Sequence, residues 1–103
     1  MIKYDKAIRD KIPQIIKSSG KNCNVKKLDN SEFLVQLEKK LSEELVEYQE
    51  GKNVEELADV LEVIYRISEL KGVTPDELDK IRQDKVEQRG KFDDNLFLVD
   101  ADK

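Results

Sequence analysis

The stretch between Asn53 and Gly72 limits the fold more than any other part of this chain. At about 100° per residue, Leu57, Ala58, Val60, Leu61, Val63, Ile64, Tyr65, Ile67 and Leu70 cover roughly two-thirds of the circumference of a helix. One partner surface cannot bury so wide an arc. The helix, running from about Val54 to Leu70 with Asn53 as cap and Gly72 as stop, must therefore lie between other elements. In a chain of 103 residues, part of the arc is expected to meet another copy, giving a homodimer or homotetramer.

The flanking segments also read as helices. A helix from about Asn30 to Glu50 carries an apolar stripe of Phe33, Leu34, Leu37, Leu41, Leu45 and Tyr48; Asp29 and Glu32 fit a capping box, and Gly51 ends it. Thr74-Pro75-Asp76-Glu77 opens a further helix, with Thr as cap, Pro in the first position and Glu closing the box; it runs to Arg89 and stops at Gly90. A short first helix spans Arg9 to Ser19, with Asp10 as cap, Pro13 in its first turn and Gly20 as stop. Alternation near 21–28, and the run Leu96-Phe97-Leu98-Val99 within 95–99, predict short extended segments lying near one another. No repeat, linker or low-complexity tract divides the chain. The expectation is one all-α domain over 1–103, its antiparallel helices forming a four-helix-bundle-type core completed by oligomerisation.

Composition removes several function classes. With no His, a Ser-His-Asp triad is excluded, Cys23 lacks an activating base, and a structural zinc site is not expected. A lone cysteine forms no internal disulfide and points to a reducing cytoplasm. No apolar run reaches membrane-spanning length, and the charged start does not read as a signal peptide, so no membrane partner is expected. A net charge of −4, with no aromatic-studded basic stripe, argues against nucleic acid as the main partner. Free nucleotides stand apart, because a metal can neutralise their phosphates.

The informative residues are acids. Glu44 and Glu47, and Glu56 and Asp59, form two pairs spaced three apart on consecutive helices. By helical projection Glu44 falls inside the apolar stripe with Glu47 at its margin, and Glu43 points nearly opposite. Glu56 likewise falls inside the apolar arc of its helix with Asp59 at the edge, whereas Glu55, Glu62 and Glu69 share the polar side. Unpaired buried carboxylates are costly, so the repeated intrusion requires a cause. If the helices fold back on each other, four carboxylates converge, and oxygen-only ligands favour Mg²⁺, Mn²⁺ or Ca²⁺. The competing account is structural. Glu44 and Glu47 can pair with Lys40 or with a neighbour's cations, and Asn53 with Glu56 can form a capping box.

These motifs resemble a known family. Glu43-Glu44-Leu45-Val46-Glu47 followed by Glu56-Leu57-Ala58-Asp59 is similar to the EExxE…ExxD signature of the all-α nucleoside triphosphate pyrophosphohydrolases. That superfamily includes MazG-type proteins, dimeric dUTPases and phosphoribosyl-ATP pyrophosphohydrolase. Tyr4 to Pro13 resembles the KLVRDKIP opening of a small MazG-like subgroup, and Lys85 to Phe92 resembles its KxxxRGGF ending, with Ala7 and Lys91 as minor departures from the two motifs. The gap of eight residues between the acidic motifs is short for MazG proteins. The resemblance implies that Glu44, Glu47, Glu56 and Asp59 bind Mg²⁺, with Mn²⁺ as the alternative ion. It also implies hydrolysis of a nucleoside triphosphate to monophosphate and pyrophosphate, a nucleotide-pool house-cleaning reaction.

For such chemistry Glu43, Glu44 and Glu47 are the candidates for taking the proton from water. Lys85 and Arg89, four apart on one helix face, can clamp phosphate oxygens, or else pair with acids such as Asp84 or end the helix favourably. Arg9 and Lys11, from the opening motif, are further candidates for phosphate binding, or else for pairing with nearby acids. Other substrates remain in view, phosphoribosyl-ATP or an alarmone, as does a non-catalytic helical oligomerising or regulatory module.

Overall fold

A computed structural model of residues 1–103 contains four α-helices and no strand: α1 Ile12–Ser18, α2 Asn30–Gly51, α3 Val54–Leu70 and α4 Pro75–Arg89. Each long helix begins where local chemistry directs. The Asp29 carboxylate accepts a 2.8 Å hydrogen bond from the Glu32 N–H at the start of α2. Thr74 and Glu77 form the reciprocal capping box at the start of α4.

The α2–α3 connection is only Lys52 and Asn53, so the helices turn back on each other as a tight αα-hairpin. Gly51 does not end α2. It is the last helical residue, and Lys52 makes the turn in the left-handed region at φ 60°, its N–H reaching the Tyr48 carbonyl at 2.7 Å. The Lys52 ammonium also lies 5.7 Å from the Tyr48 ring centre, a cation–π contact that supports the turn. Between α3 and α4, the buried Ser68 hydroxyl donates to the Val73 carbonyl at 2.8 Å, and Gly72 adopts φ 86°. The backbone there takes a conformation that suits glycine.

The core is small. Ala7, Leu37 and Val63 form its buried centre, with Phe33, Leu41, Ile67 and Leu70 packed around them. Leu37 comes from α2 and Val63 from α3, and Ala7 comes from the segment ahead of α1. That segment crosses the hairpin and seats its alanine between the helices. Only six of 103 residues are buried, so one chain forms a hairpin with an attached fourth helix and not a closed four-helix bundle. α4 packs on α3, and α1 packs on no other helix.

Several local expectations are corrected. α1 starts at Ile12, two residues beyond Asp10, with Lys11 at its N-cap and no side-chain cap, because Asp10 and Lys11 are taken up in the preceding turn. Asn53 caps α3 through its backbone carbonyl, which accepts from Glu56 N–H at 3.1 Å; no Asn53–Glu56 box forms. Segments 21–28 and 95–99 lie outside the helices, as expected, and form no strand. In the latter segment the apolar side chains have nothing to pack on: Leu96, Phe97, Leu98 and Val99 are all at least 79% exposed. On the hairpin, Leu45, Leu57 and Leu61 are also exposed, leaving much of the wide apolar arc of α3 uncovered in the single chain.

Candidate metal centre

The hairpin turn dictates which acids meet. Glu44 lies two turns before the end of α2, while Glu56 and Asp59 occupy the first two turns of α3, so folding back brings these positions level. One carboxylate oxygen from each of Glu44, Glu56 and Asp59 lies within 4.8 Å of the others. Opposed oxygens on one Mg²⁺ stand about 4.1 Å apart and on Ca²⁺ about 5 Å, so small side-chain adjustments suffice to hold such an ion. These three acids can hold a metal ion.

Glu44 is the centre of the cluster. It is 7% exposed, as its place in the apolar stripe predicts, and its Oε2 is buried with no hydrogen-bond partner. Its Oε1 faces the Lys40 ammonium at 3.5 Å, so the expected Lys40 contact forms yet satisfies only half of the carboxylate. Burial pushes the Glu44 pKa up from its ordinary 4.5. The neighbouring Glu47 carboxylate pushes it further, Asp59 adds a smaller push, and Lys40 opposes the rise. An orphaned, buried carboxylate oxygen beside two more acids is a donor set that a hard divalent cation fits.

Glu47 is exposed on the next turn of α2, close enough to act on Glu44, but outside the convergent trio. Glu56 is half-buried, with its Oε1 3.7 Å from where a Cβ on Gly51 would stand, so the end of α2 lies in van der Waals reach of this acid. Glu43 is half-buried too and does not point freely into solvent. The Lys6 ammonium holds it at 3.2 Å.

The remaining candidates separate into two groups. The Arg9 guanidinium donates to Asp59 Oδ1 at 2.7 Å, which ties Arg9 to the acidic site itself. Lys11, Lys85 and Arg89 are exposed and form no ion pair, so the Lys85–Asp84 pairing is not made. Glu55 and Glu62 are solvated and Glu69 pairs with Arg66 at 3.7 Å, in keeping with their place on the polar side.

Sequence reasoning did not single out Lys6 or the structural part played by Ala7. Lys6 lies 37 residues from Glu43 along the chain, and no local spacing encodes a contact made by an extended strap. With both included, the charges can be counted. Lys6, Lys40 and Arg9 each pair with one of Glu43, Glu44 and Asp59, while Glu47 and Glu56 have no ion-pair partner. Two uncompensated negative charges beside an orphaned oxygen match one divalent cation. No helix is long and apolar enough to cross a membrane. Comparison with family models, with curated proteins and with solved structures returns no match.

Proposed function

We propose that this chain is a Mg²⁺-dependent nucleotide pyrophosphohydrolase, active with Mn²⁺ as well. On this reading it hydrolyses a nucleoside triphosphate to the monophosphate and pyrophosphate in the cytoplasm and works as a homo-oligomer. The observation carrying the reading is the buried Glu44 oxygen without a partner, held among Glu56 and Asp59 by the α2–α3 hairpin. The similarity of the EExxE…ExxD, RDKIP and KxxxRG motifs supports the same reaction class.

Glu44, Glu56 and Asp59 would hold the ion, with Glu47 joining from the next turn of α2. A divalent cation supplies charge neutralisation for the phosphates and acidifies water. In the reaction, water attacks one phosphorus of the anhydride, the bridging P–O bond breaks, and pyrophosphate leaves with the bridging oxygen. The water's proton passes to an acid on the α2 edge. Glu43, Glu44 and Glu47 are the acids of that edge, and Glu43 and Glu47 stand outside the trio that would hold the ion. Lys11, Lys85 and Arg89 have no acid to satisfy and are available to phosphate oxygens. Arg9 reaches substrate only by leaving Asp59.

The test is pyrophosphate release from a panel of NTPs and dNTPs with Mg²⁺, extended to phosphoribosyl-ATP and an alarmone. Activity should fall at least about a hundredfold in Glu56→Gln, consistent with loss of electrostatic stabilisation at a transition state. Unchanged turnover in that variant would refute the ligand assignment. If no anhydride is cleaved and no divalent ion binds, the chain is instead a helical oligomerising module.

A further inference from the structure

Two apolar features of the molecule lack a partner, and they are complementary. The first is a groove of about 340 Å³ on α3, flanked by α2 and α4 and lined by Leu41, Ile64, Ile67, Leu78 and Ile81, with Lys71 the single charged residue on its wall. The second is the C-terminal arm, in which Leu96-Phe97-Leu98-Val99 stands 79–90% exposed and is followed at once by Asp100 and Asp102.

The chain as a whole is too open to be complete alone. Its accessible surface is 9499 Å², whereas a folded monomer of 12.0 kDa exposes about 6,000 Å². Its radius of gyration is 18.0 Å, against about 13 Å for a compact chain of this length. The excess, about 3,500 Å² per chain, is several times the roughly 800 Å² each partner contributes to a standard interface.

From these observations we infer that the C-terminal arm of one copy docks in the α2–α3–α4 groove of a second copy, and the reverse. Phe97 and its neighbours fill the apolar groove, and Asp100 lies toward Lys71. Gly90 through Leu96 span up to about 23 Å when extended, enough to carry the apolar run away from its own α4 to a neighbour. A second copy is the occupant because each chain carries both the arm and the groove. Two copies therefore satisfy all four features through one two-fold axis, whereas a foreign partner would leave either arm or groove bare. This assembly supplies an interface for the homo-oligomer proposed above, and it does not depend on metal binding or catalysis at Glu44, Glu56 and Asp59.

The test measures mass by light scattering for the full chain, for a chain ending at Asn95, and for Phe97→Asp and Ile81→Asp. The full chain should show at least twice the 12.0 kDa of one copy. Each variant should raise the dissociation constant at least about tenfold, as expected for losing a buried large apolar side chain. Phe97 is 87% exposed and Ile81 47% exposed in the single chain, so circular dichroism should show the four helices intact in these variants. A full chain of 12.0 kDa overturns the inference, and so does any of the three variants that keeps the wild-type assembly.

Discussion

Replacing Glu44 with glutamine tests the metal centre through stability alone. Glu44 has almost no access to water, one oxygen faces Lys40 at 3.5 Å, and the other has no partner. A buried, unsatisfied polar group costs about 1–3 kcal/mol, and repulsion from Glu47 and Asp59 adds to this. The Lys40 attraction offsets part of it, and after substitution the lysine can extend to water along its flexible stem. The net expectation without metal is that Glu44→Gln is more stable by about 1 kcal/mol, a Tm higher by about 4–8 °C for a domain of this size. Divalent metal reverses the order. At a hundredfold excess over its dissociation constant a ligand stabilises the native state by about 2.7 kcal/mol, raising the wild-type Tm by at least about 10 °C. Glu44→Gln should gain little. Thermal melts followed by circular dichroism, in EDTA and in Mg²⁺ or Mn²⁺, should therefore cross. A Gln variant that melts below wild type in EDTA, or that responds to metal as wild type does, would refute the reasoning.

The same carboxylate sets a pH dependence. Because the Glu44 pKa is raised on folding, the native state holds this proton more tightly than the unfolded chain. In EDTA, stability should fall as pH rises from the ordinary 4.5 through the raised value, and Glu44→Gln should lack this component. Denaturant midpoints across that window check it. Arg9→Gln should change metal-free stability by less than about 1 kcal/mol, because both partners of the Arg9–Asp59 pair are substantially exposed. It should tighten Mn²⁺ binding a few-fold by removing a competing cation; calorimetry showing weaker binding would mean that Arg9 orients Asp59 for the ion. Gly51→Ala should raise the urea midpoint by the equivalent of about 0.5–1 kcal/mol. Gly51 is helical, and an added Cβ meets only ordinary contacts at 3.6 and 3.7 Å. A lower midpoint would show that the close approach of Glu56 does not tolerate the methyl group.

Much of the fold was legible in the chain because its causes are local. Capping at Asp29 and Thr74, proline at the start of α4 and the 3.6-residue apolar periods act within a few residues, so the bounds of α2, α3 and α4 follow from short-range chemistry. The placement of Glu44 in a buried stripe was legible for the same reason. Where two local signals competed, sequence could not choose between them. Asn53 and Glu56 spell a capping box, yet the Glu56 carboxylate goes to the acidic cluster. Gly51 spells a stop, yet Lys52 makes the turn.

What the sequence by itself determined is a set of amphipathic helices carrying acids on their apolar sides. Tertiary structure alone decided that Glu44, Glu56 and Asp59 share one point while Glu47 stands outside it, since that depends on how α2 and α3 register across a two-residue turn. It also decided that Lys6, Ala7 and Arg9 cross that hairpin, with Ala7 in the core and a cation to either side on Glu43 and Asp59. Contacts between residues so far apart in the chain depend on where packing leaves space and unpaired charge. No periodicity records that.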